Sequence, residues 1–198
     1  RPNIVFIMTD QQHAGMLSCV GNAHVKTPAM DSLAQSGFRF ERAYCANPVC
    51  MPSRFAMLTG VMPSRVALEE NRPGVKVPPA LLEHALGHVF READYEVAYG
   101  GKIHTPLALA DMGFDDLTRD ERAGLADACA EFLRRKHDRP FLLVASFINP
   151  HDICYMAIRD WQQKTGAAGP AADRPNPPPP IRELDAAGRI LLVGEENH

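Results

Sequence analysis

Four short stretches of this chain gather residue types that do chemistry at spacings where they can act together. The first is Cys50-Met51-Pro52-Ser53-Arg54, followed by Leu58-Thr59-Gly60. A sulfur stands beside a rigid proline, a hydroxyl and a fixed cation, with an apolar helical run beginning right after. On a helix start, Arg54 lies one turn above Cys50, where its guanidinium can stabilise an oxyanion. The same surroundings suit a thiolate nucleophile, so these residues alone leave open in which form position 50 reacts. A lone cysteine would read as a small buried thiol. An inert thiol, however, has no need of an arginine four residues on.

The other three stretches each follow an apolar run. Asp10-Gln11 follows Ile4-Val5-Phe6-Ile7-Met8 and Thr9, a usual position for a ligand or metal site. Gly100-Gly101-Lys102-Ile103-His104 sets a cation and an imidazole two residues apart, so that on extended chain both face one anion. Asn149-Pro150-His151-Asp152 follows the run Phe141 to Phe147. Taken singly, a surface lysine, an incidental histidine or a loop aspartate is the plainer reading of each. Asn149 and Asp152 read as turn formers, and Gln12 and His13 as neighbours of the site.

Together the four stretches resemble the sulfatase family, over roughly residues 2 to 155. Cys50 to Gly60 matches the pattern C-x-P-S-R-x-x-x-L-T-G, and Gly101 to His104 matches G-K-x-H. The resemblance implies that Cys50 is oxidised by a maturation enzyme to formylglycine, whose hydrate attacks sulfur through one oxygen and releases sulfate through the other. It implies calcium bound by Asp10, Gln11 and position 50, where most relatives have two adjacent aspartates in place of Asp10-Gln11. Glutamine offers a hard oxygen but one charge fewer. Arg54 and Lys102 would stabilise the sulfate. His104 would hold the hydrated aldehyde and assist release, and His151 would contact sulfate and protonate the leaving oxygen. The expected substrate is a small-molecule or carbohydrate sulfate ester. The alternatives are a phosphonate monoester or phosphodiester hydrolase of the same fold, or a catalytically incompetent fragment. The family's later S/T-D-H/N-G segment does not occur before His198, so the catalytic domain is expected to be incomplete here and inactive by itself. Action in the periplasm or outside the cell is a family expectation, and no signal peptide precedes Arg1.

The elements that must position these residues alternate. Strands are expected at Ile4–Met8, covered on both faces, at Tyr95–Tyr99 and at Phe141–Phe147, with a half-exposed one over Phe38, Phe40 and Tyr44. Helices are expected from Thr27-Pro28 to Gly37, from Pro78-Pro79 through Phe90, and from Glu121 to His137. Such alternation predicts an α/β fold, a mostly parallel central sheet flanked by helices, which the resemblance refines to alkaline-phosphatase-like. Residues 1–165 would form the N-terminal part of the catalytic domain. In 166–198, the Pro-rich stretch Gly166 to Pro180 reads as extended connecting chain, followed by the short apolar run Ile190 to Val193.

Composition excludes other classes. The chain has 198 residues, 45% hydrophobic and 23% charged, with a net charge of -3. That suits a globular core and gives no basic face for nucleic acid. Its apolar runs are far too short for a membrane span. The five cysteines form no CxxC pair, and the simplest reading is four buried reduced thiols beside Cys50. His84 and His88 stand four apart on an expected helix without the glutamate of H-E-x-x-H. The run Arg134 to His137 reads as a solvated helix end.

Overall fold

The structure, a computed structural model, describes residues 1–166, 183–184 and 190–191. Its strands are β1 (Ile4–Asp10), β2 (Glu96–Gly101), β3 (Asp115–Thr118), β4 (Phe141–Pro150), β5 (Glu183–Leu184) and β6 (Ile190–Leu191). Its α-helices are α1 (Pro28–Ser36), α2 (Cys50–Thr59), α3 (Leu86–Glu92), α4 (Ala123–Arg134) and α5 (Cys154–Thr165). Residues 1–10 with 43–148 form one compact unit, and 11–42 with 149–198 a second.

The first unit is built on a four-stranded sheet in the order β1-β4-β2-β3. β2 runs parallel to both neighbours, with Val97 opposite Leu142, Tyr99 opposite Val144 and Ala98 opposite Asp115. Strand alternation then sorts side chains onto two faces. Val97, Tyr99, Leu142 and Val144 pack with Leu58 of α2 and with Leu86 and Phe90 of α3. Ala98, Phe141, Leu143 and Ala145 pack on the other face against Leu125, Cys129 and Phe132 of α4. A parallel sheet needs both faces covered, and each fully buried side chain of this size contributes roughly 1.5–3 kcal/mol.

Several expectations need correction. Among the described residues β1 ends the strand order, and Val5, Phe6 and Ile7 are exposed rather than covered on both faces. The residues around Phe38, Phe40 and Tyr44 form no strand. All three side chains are more than four-fifths exposed, and among the described residues no strand pairs with them. The helix expected from Pro78 is divided into a 3-10 turn, Pro79–Leu81, and α3. The break lets Gly87 sit where a Cβ would lie 2.3 Å from the Met112 carbonyl oxygen, a close approach that glycine alone permits. It also leaves His84 between the two and His88 in the helix, with His88 Nε2 against the Asp111 carbonyl. Of the cysteines other than Cys50, Cys129 is buried and Cys45 is exposed, so the reading of four buried thiols fails. The Arg134–His137 helix end is partly packed: Arg135 pairs with Glu96, and the His137 ring lies between Phe132 and Phe141.

In the second unit α1 starts at Pro28, as the Thr27-Pro28 signal predicts, and stops at Gly37. Asp31 ties its first turn to the preceding loop. It accepts from the Ser18 hydroxyl at 2.6 Å, the Cys19 amide at 2.9 Å and the Thr27 hydroxyl at 3.0 Å. β5 and β6 pair antiparallel, which makes Ile190-Leu191 strand. Residues 167–180, most of the Pro-rich stretch, and 192–193 lie outside the described residues. Among the described residues no helix is long and apolar enough to cross a membrane.

Candidate active site

Helix α2 begins at Cys50 because Val49 is extended (φ -116, ψ 142) and Pro52 falls in the first turn, where a missing N–H is no loss. Val49 offers no capping side chain. Asn71 supplies the cap from another segment, its Oδ1 accepting the Met51 N–H at 2.9 Å. Phe55 and Leu58 are fully buried and anchor the helix, which ends at Gly60 in the left-handed region (φ 71). Arg54, on the buried side, is only 4% exposed.

The guanidinium of Arg54 meets the end of β1. Its Nη2 donates to Asp10 Oδ2 at 3.0 Å, and Lys102 Nζ reaches the same oxygen at 2.5 Å. Cys50 Sγ lies 3.7 Å from the other oxygen, Asp10 Oδ1. Two cations thus converge on one oxygen of a carboxylate whose other oxygen borders Cys50 Sγ, and all three charged groups are under a tenth exposed. Arg54 and Lys102 share that carboxylate oxygen through charge-assisted hydrogen bonds.

A second layer fixes the cations. Arg54 Nη1 donates to the Lys102 carbonyl and to Ser146 Oγ, both at 2.7 Å. The same carbonyl accepts the Tyr99 and Ser146 hydroxyls at 2.7 Å each, while the Lys102 N–H donates to the Ser146 carbonyl at 2.8 Å. Burial pushes the Tyr99 phenol above its ordinary pKa, although hydrogen bonds with Ser146 and Arg54 pull the other way. Gly101 makes the close approach of β2 and β4 possible. It has φ 90, and a Cβ there would lie 2.2 Å from the Ser146 carbonyl oxygen.

The sulfatase family profile matches residues 2–123. The chain belongs to the sulfatase family. It is 30% identical to an uncharacterized sulfatase, YidJ, of Escherichia coli K12, over 76% of this chain and 39% of that protein. It is 33% identical to an N-acetylglucosamine-6-O-sulfatase of Bacteroides thetaiotaomicron, over 58% of this chain and 20% of that one. A crystal structure of a putative sulfatase from the same bacterium superposes with a TM-score of 0.67 at 26% identity, over 93% of this chain and 41% of the other. That likeness makes the fold alkaline-phosphatase-like α/β. The chain therefore spans about two-fifths or less of the length of these relatives.

Within this sulfatase-family chain, the geometry brings together Asp10, Cys50, Arg54 and Lys102 of the residues singled out by sequence. His104 follows β2 and is exposed, with φ 41. Gln11 follows β1 and is exposed, with φ 58. Both are non-glycine residues in the left-handed region, as are Ala67 and Asp94. Gln11 and His151 belong to the second unit. There His151 opens the turn His151–Ile153, and Asn149 Nδ2 donates to both Asp152 oxygens, as turn formers would.

Sequence reading missed Tyr99, Ser146 and Asn71. A lone serine inside the apolar run of β4 was the available signal for Ser146. Asn71 had none, because a cap 20 residues away leaves no local pattern. For calcium, Asp10 and Gln11 are donors of the right hard-oxygen kind. They are few against the six to eight or so that the ion takes, and Asp10 is the one buried carboxylate of the first unit among the described residues. The donor set fits calcium in kind and is partial in number.

Proposed function

We propose that this chain is the N-terminal part of an enzyme hydrolysing a sulfate ester at position 50, with Cys50 matured to formylglycine and one calcium ion. The observation that carries the reading is the convergence of Arg54 and Lys102 on Asp10 beside Cys50. Formylglycine, once formed, supplies a hydrated aldehyde as oxygen nucleophile. Arg54 and Lys102 then face the charge that grows on the sulfuryl oxygens. Donors of this kind are each worth on the order of 3 kcal/mol of barrier when already oriented. Asp10 and Gln11 would hold the calcium, together with the position-50 side chain and ligands beyond these residues. His104 takes the role of holding a hydroxyl at position 50 and moving its proton, and His151 that of protonating the leaving oxygen.

Support for a substrate class comes from a relative named for a sulfated amino sugar. We assign a sulfated carbohydrate, with small aryl sulfates as surrogates. The test is a parallel assay of the matured full-length protein on an aryl sulfate, N-acetylglucosamine 6-sulfate and a phosphonate monoester. Sulfate turnover that Cys50→Ala abolishes supports the reading. Phosphonate turnover without sulfate turnover replaces it with the phosphonate hydrolase. No turnover, with Cys50 still a thiol after expression in a competent host, replaces it with a non-catalytic role.

A further inference from the structure

Tyr99 stands two residues before the end of β2, three before Lys102, and its side chain is fully buried. Its hydroxyl spends its proton on the Lys102 carbonyl, three residues further along the chain, at 2.7 Å. That carbonyl also receives Arg54 Nη1 and Ser146 Oγ. Three donors on one carbonyl oxygen are more than its two lone pairs require. The excess therefore serves position, since satisfying this acceptor needs fewer groups. Tyr99 Oη is also 3.4 Å from Arg54 Nη1, so it borders both partners of the bond it supports.

We infer that Tyr99 is a positioning residue for the hydrolysis, acting through the Lys102 peptide to keep Arg54 and Lys102 aimed at one anion. The inference rests on the sulfatase reading and extends it to a residue outside the motif. Arg54 reaches the Lys102 carbonyl with one nitrogen and Asp10 with the other. A shift of that carbonyl therefore tilts the guanidinium plane. Lys102 carries its own ammonium from the same peptide, so one displacement moves both cations. The remainder of Tyr99 is core, packed edge-on against Phe114 at 5.6 Å between ring centres. Phenylalanine thus fills the same volume and removes the hydroxyl alone.

The test is Tyr99→Phe in the matured full-length protein, with two readouts. Turnover on an aryl sulfate should fall about fivefold to tenfold in kcat with KM little changed, the rate equivalent of one buried hydrogen bond. In nitrogen-15 spectra, the Arg54 guanidinium protons should exchange with water several-fold faster than in the parent, without need of substrate. A double-mutant cycle with Arg54→Lys should show the two losses to be non-additive, as for groups acting in one network. Parent-like kcat, or an additive cycle, overturns the inference. So does a slow Arg54 exchange rate retained in Tyr99→Phe. If the parent hydrolyses no sulfate ester, the sulfatase reading fails separately. The Arg54 exchange rate then decides by itself whether Tyr99 positions the guanidinium.

Discussion

Replacing Arg54 by lysine keeps one positive charge and removes the planar fork that the site is built around. The structure allows the cost to be worked out bond by bond. Arg54 Nη1 makes two hydrogen bonds of 2.7 Å, to the Lys102 carbonyl and to Ser146 Oγ, and Nη2 makes the 3.0 Å pair with Asp10. A lysine ammonium at this position can retain the Asp10 pair and little else. Hydrogen bonds to charged groups contribute about 1.5–3 kcal/mol each. Both abandoned acceptors, however, keep other roles: the Lys102 carbonyl retains Tyr99 and Ser146, and Ser146 still donates to that carbonyl. The loss should therefore fall near the lower end, about 2 kcal/mol. Arg54→Met removes the charge too and leaves buried Asp10 with Lys102. It should cost about 3 kcal/mol, the low side of what breaking a buried pair costs. Urea denaturation with an unchanged m-value measures both. In the matured enzyme, Arg54→Lys should also slow turnover about a hundredfold, the equivalent of roughly 3 kcal/mol of barrier. Stability within about 0.5 kcal/mol of the parent, the range of ordinary surface substitutions, would refute the reasoning.

Gly101→Ala should destabilise the fold by more than about 2 kcal/mol, because its φ of 90 disfavours a side chain and the new Cβ meets the Ser146 carbonyl; a parent-like melting temperature would contradict this. In a host with the maturation enzyme, the peptide carrying Cys50 should yield a hydrazide-reactive aldehyde on mass spectrometry, and a fully alkylatable thiol counts against it. Asp31 is held below the carboxylate value of 3.8, first by the Ser18 hydroxyl, against the opposing effect of burial, with Thr27 and Cys19 assisting. A folded-state value below the unfolded one means that its stabilisation is complete well above 3.8 and is lost as pH falls through the lower folded value. Denaturation midpoints of Asp31→Asn and the parent should accordingly differ at neutral pH and converge under acid; a constant gap across the titration would show that Asp31 does not act through its charge.

The sequence by itself determined β1, β2, β4, α1 and α4, and most of the charged cluster. Runs such as Phe141 to Phe147 can be only buried strand or buried helix, and proline and glycine placed α1 correctly because those residues act on their own backbone. Position after a strand likewise marked Asp10 and Lys102. What only tertiary structure decided depends on residues far apart in the chain. The division of the expected helix at Ala85 and the exposure of Phe38, Phe40 and Tyr44 are matters of what packs against each segment, and no local pattern carries that. The same holds at the site. Tyr99 reads from sequence as one more strand aromatic, Ser146 as a break in an apolar run, and Asn71 as a loop residue. Each acquires its role from a backbone group that folding brings to it: the Lys102 carbonyl for the first two and the Met51 N–H for the third. Motif residues are legible because reacting groups require particular side chains. Their supports are not, because a buried carbonyl or N–H accepts a partner from any segment that passes within about 3 Å.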